Sequence, residues 1–185
     1  MRIEAEELHA LMLYQIGALS AFATAAGVRL AHVKPHGALY NMAARDRELA
    51  DAIATAVRGV DDQLILVGLA GSELPRAGVR CGLRVAHEAF TDRRYRADGS
   101  LVPRRDAGAV IDDIDAAIAQ ALMIVREQRV AAADGSFVAI SADTLCVHGD
   151  RHDAALFARS LRAALEAAGC QVSAAATRIS VGDPR

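Results

Sequence analysis

Residues 63–71 read QLILVGLAG, and this run decides the fold. It is continuously apolar rather than alternating, which is expected of a parallel strand buried on both faces. Ser72 follows as the N-cap of a short helix, with Glu73 favourably placed in its first turn. Upstream, residues 42–58 form an amphipathic helical pattern with Leu49, Ala50, Ile53, Ala54 and Val57 on one stripe. Before it, VRLAHVKPHG (28–37) reads as a strand ended by Pro35 and Gly37. Residues 3–26 read as a helix with Leu8, Leu11, Met12, Gln15, Leu19 and Ala23 near helical spacing and Gly27 as its stop.

Downstream, GLRVAHEAF (82–90) is a third strand and TDRRYRADGSLVPRRDAG (91–108) a long polar loop. Helix is expected at 111–128, where Ile111, Ile114, Ile118, Leu122 and Val125 mark one face. Asp134-Gly135 between short apolar runs suggests a hairpin within 129–141. DTLCVHGD (143–150) is a fourth strand, 153–168 a helix, CQVSAAA (170–176) a last strand and 177–185 a frayed tail. This alternation means an α/β fold with a parallel sheet and covering helices, open or closed into a barrel. A full eight-stranded barrel takes about 250 residues. With 185 residues and five strands, a single domain (1–185) is expected, either an open doubly wound sheet or an incomplete barrel.

Composition narrows the function. The 21 basic residues are offset by 23 acidic ones, and no basic run exceeds two, so nucleic acid is not expected as a partner. No apolar stretch is read as approaching the ~20 residues of a membrane span. The charged start MRIEAEELHA has no apolar signal-peptide core. Cys81, Cys146 and Cys170 lie far apart with no Cys-x-x-Cys pair, which suits a reduced cytoplasm. The 41 alanines imply closely packed helices, and 20 arginines stand against a single lysine, Lys34. Lys34 therefore asks for a reason: unlike Arg, a lysine is a compact charge that can be desolvated and can transfer a proton.

The reactive side chains gather at the C-terminal ends of the expected strands, the face where α/β folds place their sites. Lys34 and His36 end the first strand, and Gly68, Gly71 and Ser72 the second. His87, Glu88, Asp92 and Arg93 end the third, His148 and Asp150 the fourth. His32, Lys34 and His36 alternate onto one strand face. There Lys34 would polarise a carbonyl or hold a phosphate, or else pair structurally with Glu88 or Asp150. His36 and His148 are candidate proton carriers or metal ligands, with structural hydrogen bonding as the alternative. Glu88 and Asp92 would supply a general base and a supporting carboxylate, although Asp92 also suits a salt bridge to Arg93 or Arg94. GLAGSEL offers backbone N–H groups to an anion, without the Gly-Lys-Ser/Thr of a phosphate loop. His36, Glu88, His148 and Asp150 would suit a divalent cation if they converged, but no ligand spacing fixes that convergence.

At HVKPHGALYN, LILVGLAGSEL, EAFTDRRYRADGSLVPR and CVHGD the chain resembles the LamB/YcsF family, collinearly from about Leu13 to about Val172. The resemblance implies an irregular β/α barrel of the glycoside hydrolase/deacetylase type. It also implies a part in ATP-dependent opening of 5-oxo-L-proline (pyroglutamate) to L-glutamate, with ATP as co-substrate and 5-oxoprolinase subunits B and C as partners. ATP coupling in the resembled family suggests phosphorylation of the lactam carbonyl oxygen followed by water attack. Lys34 would then stabilise charge on that activated oxygen, and His36 or His148 would move protons. Glu88 or Asp150 would orient water, and Arg93 would clamp the substrate carboxylate. The family's acidic DLNADLGE-type strand and its CGFHAGD- and GAHPSFPDR-like segments are absent, so a member lacking its first βα units is expected. Two rival readings are a metal-dependent amide or acetyl hydrolase without ATP and a truncated, non-catalytic fragment.

Overall fold

Asp46 shows how local sequence sets the helices: its carboxylate accepts from the N–H of Glu48 at 3.0 Å and of Leu49 at 3.2 Å, capping a helix. The structure, a computed structural model, describes residues 3–174. Cα packing divides the chain into two compact units, with the boundary between His87 and Glu88.

The first unit holds α1 (Ala5–Ala25), β1 (His32–Val33), α2 (Gly37–Ala43), α3 (Arg47–Val60), β2 (Ile65–Leu69), α4 (Glu73–Arg80) and the start of β3 (Arg84–Phe90). β1 pairs with β2 in parallel, His32 opposite Ile65 and Val33 opposite Leu66. β2 is buried at every position, as its unbroken apolar run requires. The α3 stripe of Leu49, Ala50, Ile53, Ala54 and Val57 is buried as expected. On α1 the core takes Leu8, Met12, Ile16 and Ala23, whereas Leu11 and Leu19, expected inside, are 39% and 58% exposed. By length and composition alone α1 is long and apolar enough to cross a membrane, contrary to the sequence expectation.

Two differences have local causes. The expected strand 28–37 shortens to His32–Val33, and on its C-terminal side Pro35 lacks an N–H and cannot extend a ladder. The α2 helix, not foreseen, then starts at once on Gly37 (φ +61°) and buries Tyr40 and Ala43. Close packing of α4 on the strands explains two glycines. A Cβ on Gly68 would lie 2.8 Å from Pro75 Cδ, and one on Gly78 only 2.5 Å from Val85 Cγ1.

The second unit contains the end of β3, α5 (Ile114–Glu127), β4 (Arg129–Ala131), β5 (Phe137–Ala139), β6 (Thr144–Cys146) and α6 (Ala154–Ala167). β6 runs parallel to β3 with Glu88 opposite Thr144 and Phe90 opposite Cys146. The strand order is β1-β2-β3-β6, giving four parallel-sheet strands among the described residues rather than five. The expected hairpin forms: β4 and β5 pair antiparallel around a turn with Gly135 at φ +88°. Helix α5 begins at Ile114 rather than Ile111, because the Asp113 carboxylate caps it by accepting from Ala116 N–H at 2.7 Å. Its buried face is Ala117, Gln120, Ala121 and Ile124, while Val125 is 42% exposed. Cys170–Ala174, expected as strand, is not one. The rest of that expected strand and the tail 177–185 lie outside the described residues.

Candidate functional site

The long polar segment after β3 is not a solvated loop. Thr91, Asp92, Arg93 and Tyr95 are all buried, as are Leu101 and Ala109 further along. Single bridges join Arg93 to Val110, Tyr95 to Leu101 and Tyr95 to Ala132, so the segment folds back on itself and onto the β4–β5 hairpin. The Tyr95 hydroxyl, fully buried, accepts from Phe90 N–H at 2.7 Å. Burial pushes that hydroxyl well above its ordinary pKa.

Within this unit Asp92 and His148 meet. His148 Nδ1 lies 2.8 Å from Asp92 Oδ2 and 3.0 Å from Oδ1, and the His148 backbone N–H donates to Oδ2 at 2.9 Å. The Asp92 side chain is 3% exposed and that of His148 25%. Burial by itself would raise the Asp92 carboxyl. The hydrogen bonds from the His148 ring and backbone outweigh it and hold the group below its ordinary value. An ionised carboxylate can only accept, so it fixes the proton on Nδ1 and leaves Nε2 as the nitrogen that takes or gives a proton. The Phe90 ring stacks against the imidazole at 5.6 Å between centroids and 27° between planes. The salt bridge from Asp92 to Arg93 or Arg94, the plainer expectation, is not what this carboxylate makes.

Arg93 sits next in the chain and is 6% exposed. One terminal nitrogen donates to the Val102 carbonyl at 2.6 Å, and its Nε is buried with no hydrogen-bond partner. Burial, reinforced by the Arg104 charge, pulls the guanidinium below its usual pKa. Arg104 in turn pairs with Asp150 at the surface. Asp150 is thus held by an exposed ion pair, and Arg151 beside it pairs with Asp153. Glu88 is buried, 3% exposed, on β3.

The first unit holds the other expected residues. Lys34 is half-buried with its Nζ 5.6 Å from the centre of the Tyr40 ring, and His36 is exposed at the start of α2. At GLAGSEL two of the backbone N–H groups are taken within the protein. Ser72 N–H donates to Leu69 O and Glu73 N–H to Ala44 O, while Pro75 has no N–H. Gly68 is required by the nearness of Pro75, and Gly71 by its φ of +77°. Among the described residues no group of three or more His, Cys, Asp or Glu is gathered as metal ligands.

The sequence reading missed Gln120. Its Nε2 donates to the carbonyls of Phe90 at 2.8 Å, Thr91 at 3.2 Å and Arg93 at 2.9 Å. The signal was present: a glutamine three residues after Ala117 and four before Ile124, on the buried face of α5.

The model of the LamB/YcsF family matches residues 1–180. The chain is 55% identical over 174 residues to the 5-oxoprolinase A subunit of Geobacillus kaustophilus, covering 94% of this chain and 68% of that protein. It is 53% identical to the 5-oxoprolinase A subunit of Tolumonas auensis, covering 94% and 69% respectively. The crystal structure of the lactam utilization protein from Thermus thermophilus superposes with a TM-score of 0.84 at 50% identity, over 93% of this chain and 68% of that one.

Proposed function

The chain belongs to the LamB/YcsF family, and on that footing we propose that it serves as the A subunit of a 5-oxoprolinase, opening 5-oxo-L-proline to L-glutamate. The observation that carries the reading is the Asp92–His148 pair in a chain 55% identical to a protein of that name. A five-membered lactam is an unactivated amide, so water must lose a proton as it adds and the ring nitrogen must gain one as the C–N bond breaks. His148 Nε2, oriented by the buried Asp92 carboxylate, takes the proton from water and returns it to the departing nitrogen. Phe90 keeps the imidazole plane fixed through this exchange. Arg93 holds the carboxylate of 5-oxoproline, a role suited to a buried guanidinium whose Nε has no protein partner.

The remaining roles belong to the same proposal. Lys34 stabilises negative charge on the lactam oxygen, Glu88 or Asp150 orients water, and His36 is the alternative to His148 as proton carrier. The reaction is ATP-dependent and takes place in the cytoplasm in an assembly with subunits B and C. All three cysteines are thiols, in keeping with a reducing compartment. No ATP-binding step is assigned to residues of this chain.

The test is to combine the chain with subunits B and C of a bacterial 5-oxoprolinase and follow glutamate formation with and without ATP. ATP-dependent turnover that disappears in His148→Ala is expected. Absence of turnover in the unaltered assembly, or full turnover in His148→Ala, overturns the reading. Near-full turnover in Lys34→Ala removes the role given to Lys34 alone.

A further inference from the structure

Every backbone carbonyl from Phe90 to Arg93 is held by a donor, and one side chain takes three of the four. Gln120 Nε2 reaches the carbonyls of Phe90, Thr91 and Arg93, and Ile111 N–H holds that of Asp92 at 2.9 Å. Gln120 is 9% exposed, and an amide NH2 carries only two protons, so its bonds are shared among the three oxygens. A group placed this way can only be a donor: the carbonyls leave no alternative orientation for the amide. The peptides it clamps carry the two residues that hold His148, Phe90 against the ring face and Asp92 on Nδ1.

We propose that Gln120 is a positioning residue that sets the Asp92–His148 pair from α5, acting through the turn after β3 and not through contact with substrate. The inference rests on the reading of His148 as the proton carrier for lactam opening. Arg93 is less dependent on Gln120, because its guanidinium is tied independently to Val102 O and its backbone bridges to Val110. Loss of Gln120 therefore acts on the rate more than on substrate binding. Gln120→Met keeps the length and apolar stem and removes both protons. Gln120→Asn keeps the NH2 on a stem one methylene shorter.

In the assembled enzyme, Gln120→Met is expected to lower kcat about 10- to 100-fold while KM changes less than about threefold, with Gln120→Asn intermediate. A second readout needs no turnover. In the isotope-labelled full chain, the downfield Nδ1–H signal of His148 is expected to be slow to exchange, and to broaden or vanish in Gln120→Met well below its melting temperature. Scalar couplings across hydrogen bonds from Gln120 Nε2 to the carbonyls of Phe90, Thr91 and Arg93 test the clamp in the unaltered chain, whether or not a variant folds. Absent couplings overturn the inference. So does a folded Gln120→Met chain that keeps both the His148 signal and full kcat. An unaltered assembly that makes no glutamate while the Gln120→Met chain loses the His148 signal overturns the function and leaves the positioning role supported.

Discussion

His148 gives both its backbone N–H and its ring Nδ1–H to the carboxylate of Asp92, a residue 56 positions earlier, at 2.9 and 2.8 Å. A single buried anion thus fixes the path of the chain after β6 and the tautomer of its histidine. The catalytic role proposed for this pair and its structural consequence are separable, and both are measurable.

Asp92→Asn preserves volume but replaces an acceptor-only group with an amide, so Nδ1–H is no longer the required tautomer. By analogy with carboxylate–histidine pairs in hydrolases, kcat for glutamate formation is expected to fall about 100- to 10,000-fold. KM should change much less, because Asp92 turns toward His148. Steady-state kinetics of the assembled enzyme check this, and a loss below tenfold contradicts the orientation role.

Asp92 also makes stability depend on acidity. Its folded pKa lies below the unfolded value of about 3.9, so the native state favours the ionised form. That contribution is fully present above the unfolded pKa and is lost as pH falls through the lower folded one. Urea unfolding of the wild type and of Asp92→Asn between about pH 5 and pH 2 should show the wild-type advantage shrinking toward acid. An advantage unchanged down to the acid limit would contradict the sign.

Tyr95→Phe removes the oxygen that accepts from Phe90 N–H and leaves that donor buried without it. The expected loss is about 1–3 kcal/mol of unfolding free energy, read by chemical denaturation. Activity at permissive temperature should fall less than in Asp92→Asn, since Gln120 still holds the Phe90 carbonyl.

Gly78→Ala places a methyl group 2.5 Å from Val85 Cγ1 and 3.2 Å from Leu66 Cδ2, between α4 and the strands. Overpacking at this contact is expected to cost about 1–3 kcal/mol. Gly71→Ala tests a different cause, because no atom crowds its Cβ and only the positive φ opposes the change. It should destabilise by about 1–2 kcal/mol. Thermal unfolding of the two variants compares steric and torsional costs directly.

Much of the architecture was legible because it depends on short-range periodicity. The α3 stripe, the buried β2 run and the Asp134-Gly135 hairpin each follow from side-chain spacing or turn chemistry within a dozen residues. Where the reading slipped, the winning interaction was also specific: Pro35 cut β1 short and the Asp113 cap moved the start of α5. Leu11 and Leu19 matched helical spacing yet lie outside, since a helix rich in alanine and leucine presents apolar residues on more than one face.

By itself the sequence determined the β/α alternation and brought its histidines and carboxylates to strand ends, because both follow from local pattern. Only the tertiary structure decided that Asp92 takes His148 rather than an arginine, that Asp150 takes Arg104, and that Gln120 holds the turn between β3 and Asp92. Those choices depend on which groups the β3–β6 register and α5 packing bring within about 3 Å while excluding water. Spacing along the chain carries no information about distances of that kind.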